Sequence, residues 1–188
     1  MKFSAVILAG GRSSRMGRDK AFLEIGGQTL LARQIKLVRE AGANEVFISG
    51  RPDTDYSAHG CQVLLDRFAG AGPLAGIERA LVAATSPLLL VLAVDLPEMK
   101  ATFIRALAAN CSDHRGAVPG IGEHIEPLAA FYPKTAHSVA ETLLREENNA
   151  AGAFATACAQ SGLVRSFKVT TDEIRHFANW NHPAEIVP

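Results

Sequence analysis

Four cations and two adjacent glycines crowd one short stretch near the start of the chain, Leu8-Ala9-Gly10-Gly11-Arg12-Ser13-Ser14-Arg15-Met16-Gly17-Arg18-Asp19-Lys20. Gly10 and Gly11 let the backbone approach a ligand closely and adopt positive φ. Successive backbone N–H groups in such a loop form an anion-binding concavity. Arg12, Arg15, Arg18 and Lys20 surround it with positive charge. Together these features suit a polyphosphate. The stretch lacks the Gly-x4-Gly-Lys-Ser/Thr spacing of a P-loop and the Gly-x-Gly-x-x-Gly of a dinucleotide fingerprint. On spacing alone, a strand-to-helix turn with solvated arginines is the competing reading.

One carboxylate stands where a phosphate chemistry would need it, and a second follows another apolar run. Asp95 ends the most hydrophobic run of the chain, Leu88-Leu89-Leu90-Val91-Leu92-Ala93-Val94. A carboxylate there is costly without a partner. Mg²⁺ bridging a triphosphate is a natural one, because that ion takes few protein carboxylates and completes its shell with phosphate oxygens and water. The alternative, a helix cap for the element near Thr102, is separated from Asp95 by Pro97 and several further residues. Asp66 follows a shorter apolar run, and an Asx-turn is its alternative role. In Gly72-Pro73-Leu74-Ala75-Gly76, proline suits a first helical turn, and the glycines can present the helix N-terminus to an anion.

The elements that must hold these residues alternate. Strand-like runs cover residues 4–8, 45–49, 62–65, 88–94, 116–118, 128–132 and 163–168. Helical patterns cover residues 29–40, 73–84, 102–109, 135–146 and 150–160. Ala41-Gly42 reads as a helix stop. Alternation of this kind implies a mostly parallel sheet between helices. The unbroken run before Asp95 reads as a central parallel strand covered on both faces. Right-handed crossovers then bring the carboxyl ends of the strands to one edge, where ligands bind. Gly10, Ser49, Asp66 and Asp95 all follow strands, so topology alone predicts that they share that edge.

Composition narrows the function classes. The 188 residues predict a single domain spanning 1–188, and 48% hydrophobic residues suffice for its core. Nineteen basic and nineteen acidic residues balance to zero, which argues against a generic nucleic-acid binder. Cys61, Cys111 and Cys158 are far apart and without a Cys-x-x-Cys pair, so they predict reduced core residues and neither a disulfide framework nor a zinc site. The apolar N-terminal run is too short for a signal peptide, and no stretch reaches the length of a membrane span. The reading is a cytoplasmic protein, with no membrane and no nucleic acid as partners.

The glycine–arginine stretch resembles the signature loop of the nucleotidyltransferases that transfer a nucleoside monophosphate to a phosphorylated acceptor. It is most similar to the molybdenum cofactor guanylyltransferase (MobA-type) branch, Leu-Ala-Gly-Gly-x-Ser-x-Arg-Met-Gly-x-Asp-Lys, at every fixed position. The resemblance implies a three-layer α/β/α Rossmann-like fold with a mostly parallel mixed sheet, of the nucleotide-diphospho-sugar transferase type. It implies an enzyme that transfers GMP from GTP to the phosphate of molybdopterin, with or without metal, and releases pyrophosphate. Mg²⁺ is the implied cofactor. GTP and molybdopterin are the implied partners, molybdoenzyme maturation proteins are admitted beside them, and the chain is expected as a monomer or weak oligomer. A cytidylyltransferase, a sugar-phosphate nucleotidyltransferase and a non-catalytic GTP-binding module are the alternatives. Gly10-Gly11, where cytidylyltransferases typically have Ala-Gly, favours guanine.

By the same resemblance, Leu8, Ala9, Gly10 and Gly11 line the nucleotide, and Arg15 and Lys20 grip its phosphates. Asp66 and Gly72 contact the nucleotide, and Asp95 in Asp-x-Pro binds Mg²⁺ and nucleotide. Asn181, with Asn179 as second choice, completes the metal shell from a segment similar to the family's Asn-x-Asn-x-Pro; a cap before Pro183 is the rival role for Asn181. Trp180 reads as packing. Glu126 and Pro127 match the x-Pro-Leu segment beside the acceptor. Two positions depart from the pattern. Ser49 stands where an asparagine often touches the base, and a serine offers it one hydrogen bond. Glu126 replaces the usual Gln or His, and its carboxylate would repel an acceptor phosphate unless a cation intervenes. His124 nearby reads as a lone surface histidine.

Overall fold

A computed structural model describes residues 2–10, 19–68 and 70–179. Gly11, Arg15, Trp180 and Asn181, all named above, lie outside the described residues. Among the described residues the strands and α-helices follow in the order β1 (Phe3–Leu8), β2 (Glu24–Ile25), β3 (Gln28–Thr29), α1 (Leu30–Ala41), β4 (Glu45–Gly50), β5 (Gln62–Leu65), α2 (Pro73–Ala83), β6 (Leu88–Ala93), α3 (Ala101–Ala108), β7 (Gly116–Ile121), β8 (His124–Ile125), β9 (Ala129–Pro133), α4 (His137–Arg145), α5 (Ala151–Gln160) and β10 (Val164–Lys168). No helix among the described residues is long and apolar enough to cross a membrane.

The main sheet has the order β10-β7-β9-β6-β1-β4-β5, with β8 paired to β7, and β2 and β3 form a separate hairpin. β1 is parallel to β4 and β6, β4 to β5, and β7 to β10. β9 runs antiparallel to β6 and β7. This corrects the sequence expectation in two respects. β6 is flanked by parallel pairing on one side only. The carboxyl end of β9 lies at the far edge, so it is the lead-in to β9, with Glu126 and Pro127, that reaches the rim formed by the ends of β1, β4, β5 and β6.

Alternation along β6 explains its unbroken apolar run. Leu88, Leu90 and Leu92 pack with Phe3, Ala5 and Ile7 of β1 beneath α1 and α3. Leu89 and Val91 face the other way, with Val6, α2, α4 and α5. Both faces are covered, and each such side chain contributes roughly 1.5–3 kcal/mol by burial. Helix ends follow local chemistry. The Thr29 hydroxyl accepts from Ala32 N at the start of α1, and Gly42 closes that helix at φ 106°. Gly72 precedes Pro73 at φ 66°, ψ −156°, a backbone region open to glycine almost alone.

The remaining expected elements hold with shifted ends. The 135–146 pattern divides into a 3-10 turn, Lys134–Ala136, and α4. Lys100 stands at the N-cap of α3 with no side-chain cap, so Asp95 has no capping role there. The hairpins β2–β3 and β7–β8 were not legible, because two-residue strands carry no period. Cys61, Cys111 and Cys158 are free; Cys158 is buried in the core, whereas Cys61 and Cys111, expected there too, are only partly buried.

Candidate active site

The order of strands sets the order of side chains along the rim. From the middle of the sheet outward it runs Glu126 before β9, Asp95 after β6, Leu8 to Gly10 at the end of β1, Ser49 near the end of β4, and Asp66 after β5. Asp95 therefore stands between the segment expected to meet an acceptor and the segments expected to meet a nucleotide.

The backbone around Asp95 is held by two main-chain bonds and one side-chain amide. Ala93 N donates to Leu128 O at 2.8 Å, and Val94 N to Leu8 O at 3.3 Å. From α1, the Gln34 side-chain amide donates to Leu96 O at 2.7 Å, with a longer 3.5 Å approach to Val94 O. Gln34 is buried, so the carbonyls on either side of Asp95 are held by one amide. The Asp95 carboxylate points to the rim, where Oδ2 accepts from Lys20 Nζ at 2.9 Å, with the two side chains 22% and 20% exposed. The residues expected to carry a cationic grip and a metal thus meet across 75 positions of sequence.

Lys20 opens a 3-10 turn, Lys20–Phe22, started by Asp19, whose Oδ1 accepts from Ala21 N at 3.0 Å. The turn packs against α1. Ala9 is buried, and its N–H donates to Ser49 O at 2.9 Å. Gly10 does not take positive φ, contrary to expectation, and a Cβ placed on it would come no closer than 3.7 Å to the nearby protein atoms. Neither a special backbone conformation nor close packing by the protein therefore demands glycine there. Ser49 is buried at 4% exposure. Its hydroxyl, expected to meet a base, is turned inward, and a Cβ on Gly76 of α2 would fall 2.3 Å from it.

Asp66 lies on the exposed outer part of the rim, and its side chain makes no Asx-turn among the hydrogen bonds of the described residues. Partial desolvation, reinforced by the charge of Glu78, raises its carboxyl above the ordinary value. Gly72 follows on the same side, at the start of α2. Glu126 is half-buried. Desolvation raises its carboxyl, and the charge of His124 opposes the rise. His124 itself is exposed, as read. Pro127 presents its carbonyl to the Tyr132 hydroxyl at 3.0 Å, away from any ligand role for that oxygen.

The C-terminal segment reaches the same rim. After β10, the turn Thr171–Phe177 lays His176 and Phe177 against Phe103 of α3 at ring separations of 5.5 and 5.3 Å. His176 Nδ1 donates to Glu98 O, three residues past Asp95, at 2.9 Å. Asn179, just beyond, is exposed.

Sequence reading missed Gln34 and Arg51. Gln34 had a signal: it is the polar member of the α1 stripe Leu30, Leu31, Ile35 and Val38. Arg51 had none, because its partner Asp19 is distant in sequence (Arg51 Nη2 to Asp19 Oδ2, 2.9 Å). Among the described residues no three His, Cys, Asp or Glu side chains converge as a metal cage. Asp95 is a single rim carboxylate that holds the Lys20 ammonium on Oδ2, and a hard divalent ion would need phosphate oxygens and water to complete its shell there.

Comparison with known proteins followed the same lines. A family profile described as "MobA-like NTP transferase domain" matches residues 5–160. The chain is 40% identical, over 97% of its own length and 92% of the other's, to a protein of Opitutus terrae named "Probable molybdenum cofactor guanylyltransferase". In fold it is similar to the molybdopterin-guanine dinucleotide biosynthesis protein A of Archaeoglobus fulgidus, with TM-score 0.75 at 22% identity over 99% of this chain and 95% of that one. It is likewise similar to the 2-C-methyl-D-erythritol 4-phosphate cytidylyltransferase of Thermus thermophilus, with TM-score 0.70 at 23% identity over 99% and 96%.

Proposed function

The chain belongs to the MobA-like NTP transferase family, and on that premise we propose that its rim transfers GMP from GTP to the phosphate of molybdopterin, forming the guanine dinucleotide. An oxygen of the acceptor phosphate attacks the α-phosphorus. The bond from that phosphorus to the bridging oxygen breaks, and pyrophosphate carries the electron pair away. The acceptor is already anionic near neutral pH, so no covalent enzyme intermediate and no general base are required. Catalysis is positioning and charge stabilisation.

The observation that carries this reading is the contact of Lys20 with Asp95 at the midpoint of the rim. Toward β1, β4 and β5, Ala9, Gly10, Asp66 and Gly72 line the nucleotide side. Toward β9, Glu126 and Pro127 line the acceptor side. Lys20 can leave Asp95 for the phosphates, where a fixed cation stabilises charge developing in the transition state. Asp95 would hold Mg²⁺, which supplies Lewis-acid neutralisation of the triphosphate when bound. Gln34 keeps the Asp95 turn in place. A cytoplasmic setting belongs to the same proposal.

The test is pyrophosphate release from GTP, CTP, ATP or UTP in the presence of Mg²⁺ and molybdopterin, beside a thermal-shift panel of the same nucleotides. GTP is expected to lead both. Asp95→Ala is expected to lower turnover ~100-fold or more, as for loss of one main electrostatic element. Absence of pyrophosphate release, a preference for CTP, or wild-type rates in Asp95→Ala would overturn the proposal.

A further inference from the structure

Arg51 follows β4 and reaches both flanks of the glycine–arginine stretch. Its Nη2 lies 2.9 Å from Asp19 Oδ2, with the side chains 26% and 12% exposed. The same nitrogen donates to Thr54 Oγ1 at 3.2 Å, and Nε stands 3.3 Å from Asp53 Oδ1. The Arg51 backbone N–H donates to the Tyr56 hydroxyl at 3.3 Å. Tyr56 is buried and stacks on Phe22, in the turn opened by Lys20, at 5.9 Å. On the other flank, a Cβ placed on Gly10 would stand 3.9 Å from Arg51 Cγ. One side chain thus reaches Asp19, where the Lys20 turn begins, and stands near Gly10, where β1 ends.

We propose that Arg51 is a positioning residue for the nucleotide: it holds Asp19 to the end of β4 and so sets where Lys20 stands relative to Asp95. The inference rests on the nucleotide reading given above. Asp19 does two tasks with its two oxygens. One caps the turn that carries Lys20, and the other meets Arg51. The pair is more sheltered than a surface ion pair, whose worth is small, and losing the guanidinium leaves a largely desolvated carboxylate without its counter-charge. Asp53 is mostly exposed and offers Arg51 little that water does not. An arginine suits the task because its guanidinium sets a permanent charge beside Asp19 while it donates to Thr54 Oγ1. Displacing Lys20 by about 1 Å is enough to cost a reaction that depends on positioning.

Arg51→Ala, Arg51→Lys, Asp19→Asn and the double variant Arg51→Ala/Asp19→Asn decide the matter. Asp19→Asn keeps an oxygen for the cap and removes only the charge. Each of Arg51→Ala and Asp19→Asn is expected to raise the KM for GTP about tenfold, the equivalent of ~1.4 kcal/mol. The KM for acceptor is expected to stay within about twofold, and GTP-free melting within ~3 °C of wild type. Arg51→Lys is expected to recover part of the loss, because charge returns without the fork. The double variant is expected to be no worse than the worse single, as for two halves of one interaction. An unchanged KM for GTP in both single variants, or a double variant that loses the product of the two, would overturn the inference. If Arg51→Ala does not fold, Arg51→Lys and Asp19→Asn carry the same comparison. GTP-dependent thermal stabilisation of the unaltered chain is read first: its absence overturns the nucleotide reading and this inference together, whereas its presence with KM values indifferent to Arg51 overturns the inference alone.

Discussion

Lys20 and Asp95 neutralise one another at 2.9 Å, and this pairing has a consequence for binding order. On the proposed reading, Asp95 would take a divalent ion only once its Oδ2 had released the Lys20 ammonium. A triphosphate arriving with it gives that ammonium new acceptors. Metal and nucleotide are therefore expected to bind with positive cooperativity, which is reciprocal by linkage. Lys20→Met, which keeps the stem and removes the charge, should move two affinities in opposite directions. GTP binding should weaken about tenfold, and Mn²⁺ binding without nucleotide should tighten severalfold, by the usual scale for one charge contact. Calorimetric titration of each ligand alone measures both. A fall in both affinities, or metal binding indifferent to Lys20, would show that the ammonium does not occupy the metal's place.

At the scale of elements, the site depends on how closely α2 lies on β4 and β1. A Cβ on Gly76 would stand 2.3 Å from Ser49 Oγ, 3.0 Å from Ser49 Cβ and 3.2 Å from Leu8 Cδ2. Gly76→Ala should therefore push α2 outward and destabilise the fold by ~1–3 kcal/mol, the usual range for overpacking. Ser49→Gly in the same chain should return much of that loss, because it removes the obstructing atoms. Denaturant unfolding of the two singles and the double measures the coupling; strict additivity would mean that the helix yields elsewhere. Gln34 makes α1 equally a part of the site: its buried amide holds Leu96 O on the far side of Asp95. Gly50, Ser49 and Gly76 together show a strand end built of small residues because a helix and Tyr56 crowd it from either side.

Over the whole molecule, the two edges of the sheet titrate with opposite sign. At the edge away from the rim, Glu45 accepts hydrogen bonds from the Ser4 hydroxyl of β1 and from Thr85 N in the turn before β6. Desolvation works to raise its carboxyl, and the bonds from Ser4, Thr85 and Ser86 outweigh it, so the folded value lies below the ordinary 4.5. Stability from Glu45 is then present above about 4.5 and lost as the pH falls through the lowered folded value. At the rim, Asp66 and Glu126 are raised, and their contribution runs the other way: present at low pH and lost as the pH rises through their folded values. Glu45→Gln is expected to melt about 2–4 °C lower than wild type at pH 7, with the gap closing near pH 3. A gap that is the same at both pH values would mean that the hydrogen bonds do not depend on the charge.

How much of this was legible in the sequence differs from residue to residue. Local chemistry read correctly at several helix and strand ends, though not at Gly10, which lacks the expected positive φ. The unbroken Leu88 to Ala93 run announced a strand covered on both faces, Thr29 and Gly42 marked the ends of α1, and Pro73 marked the start of α2. What the sequence alone determined was therefore the kind of elements, the kind of chemistry and the edge that carries it. Tertiary structure alone decided the reversed direction of β9, which brings Glu126 to the rim by its amino end. It also decided the inward turn of Ser49, the hold of Gln34 on Leu96 and the meeting of Arg51 with Asp19. The physical reason is range: capping and periodicity act within a few residues, whereas strand order and the partner of a buried polar group follow from contacts between segments that the chain brings together only when it folds.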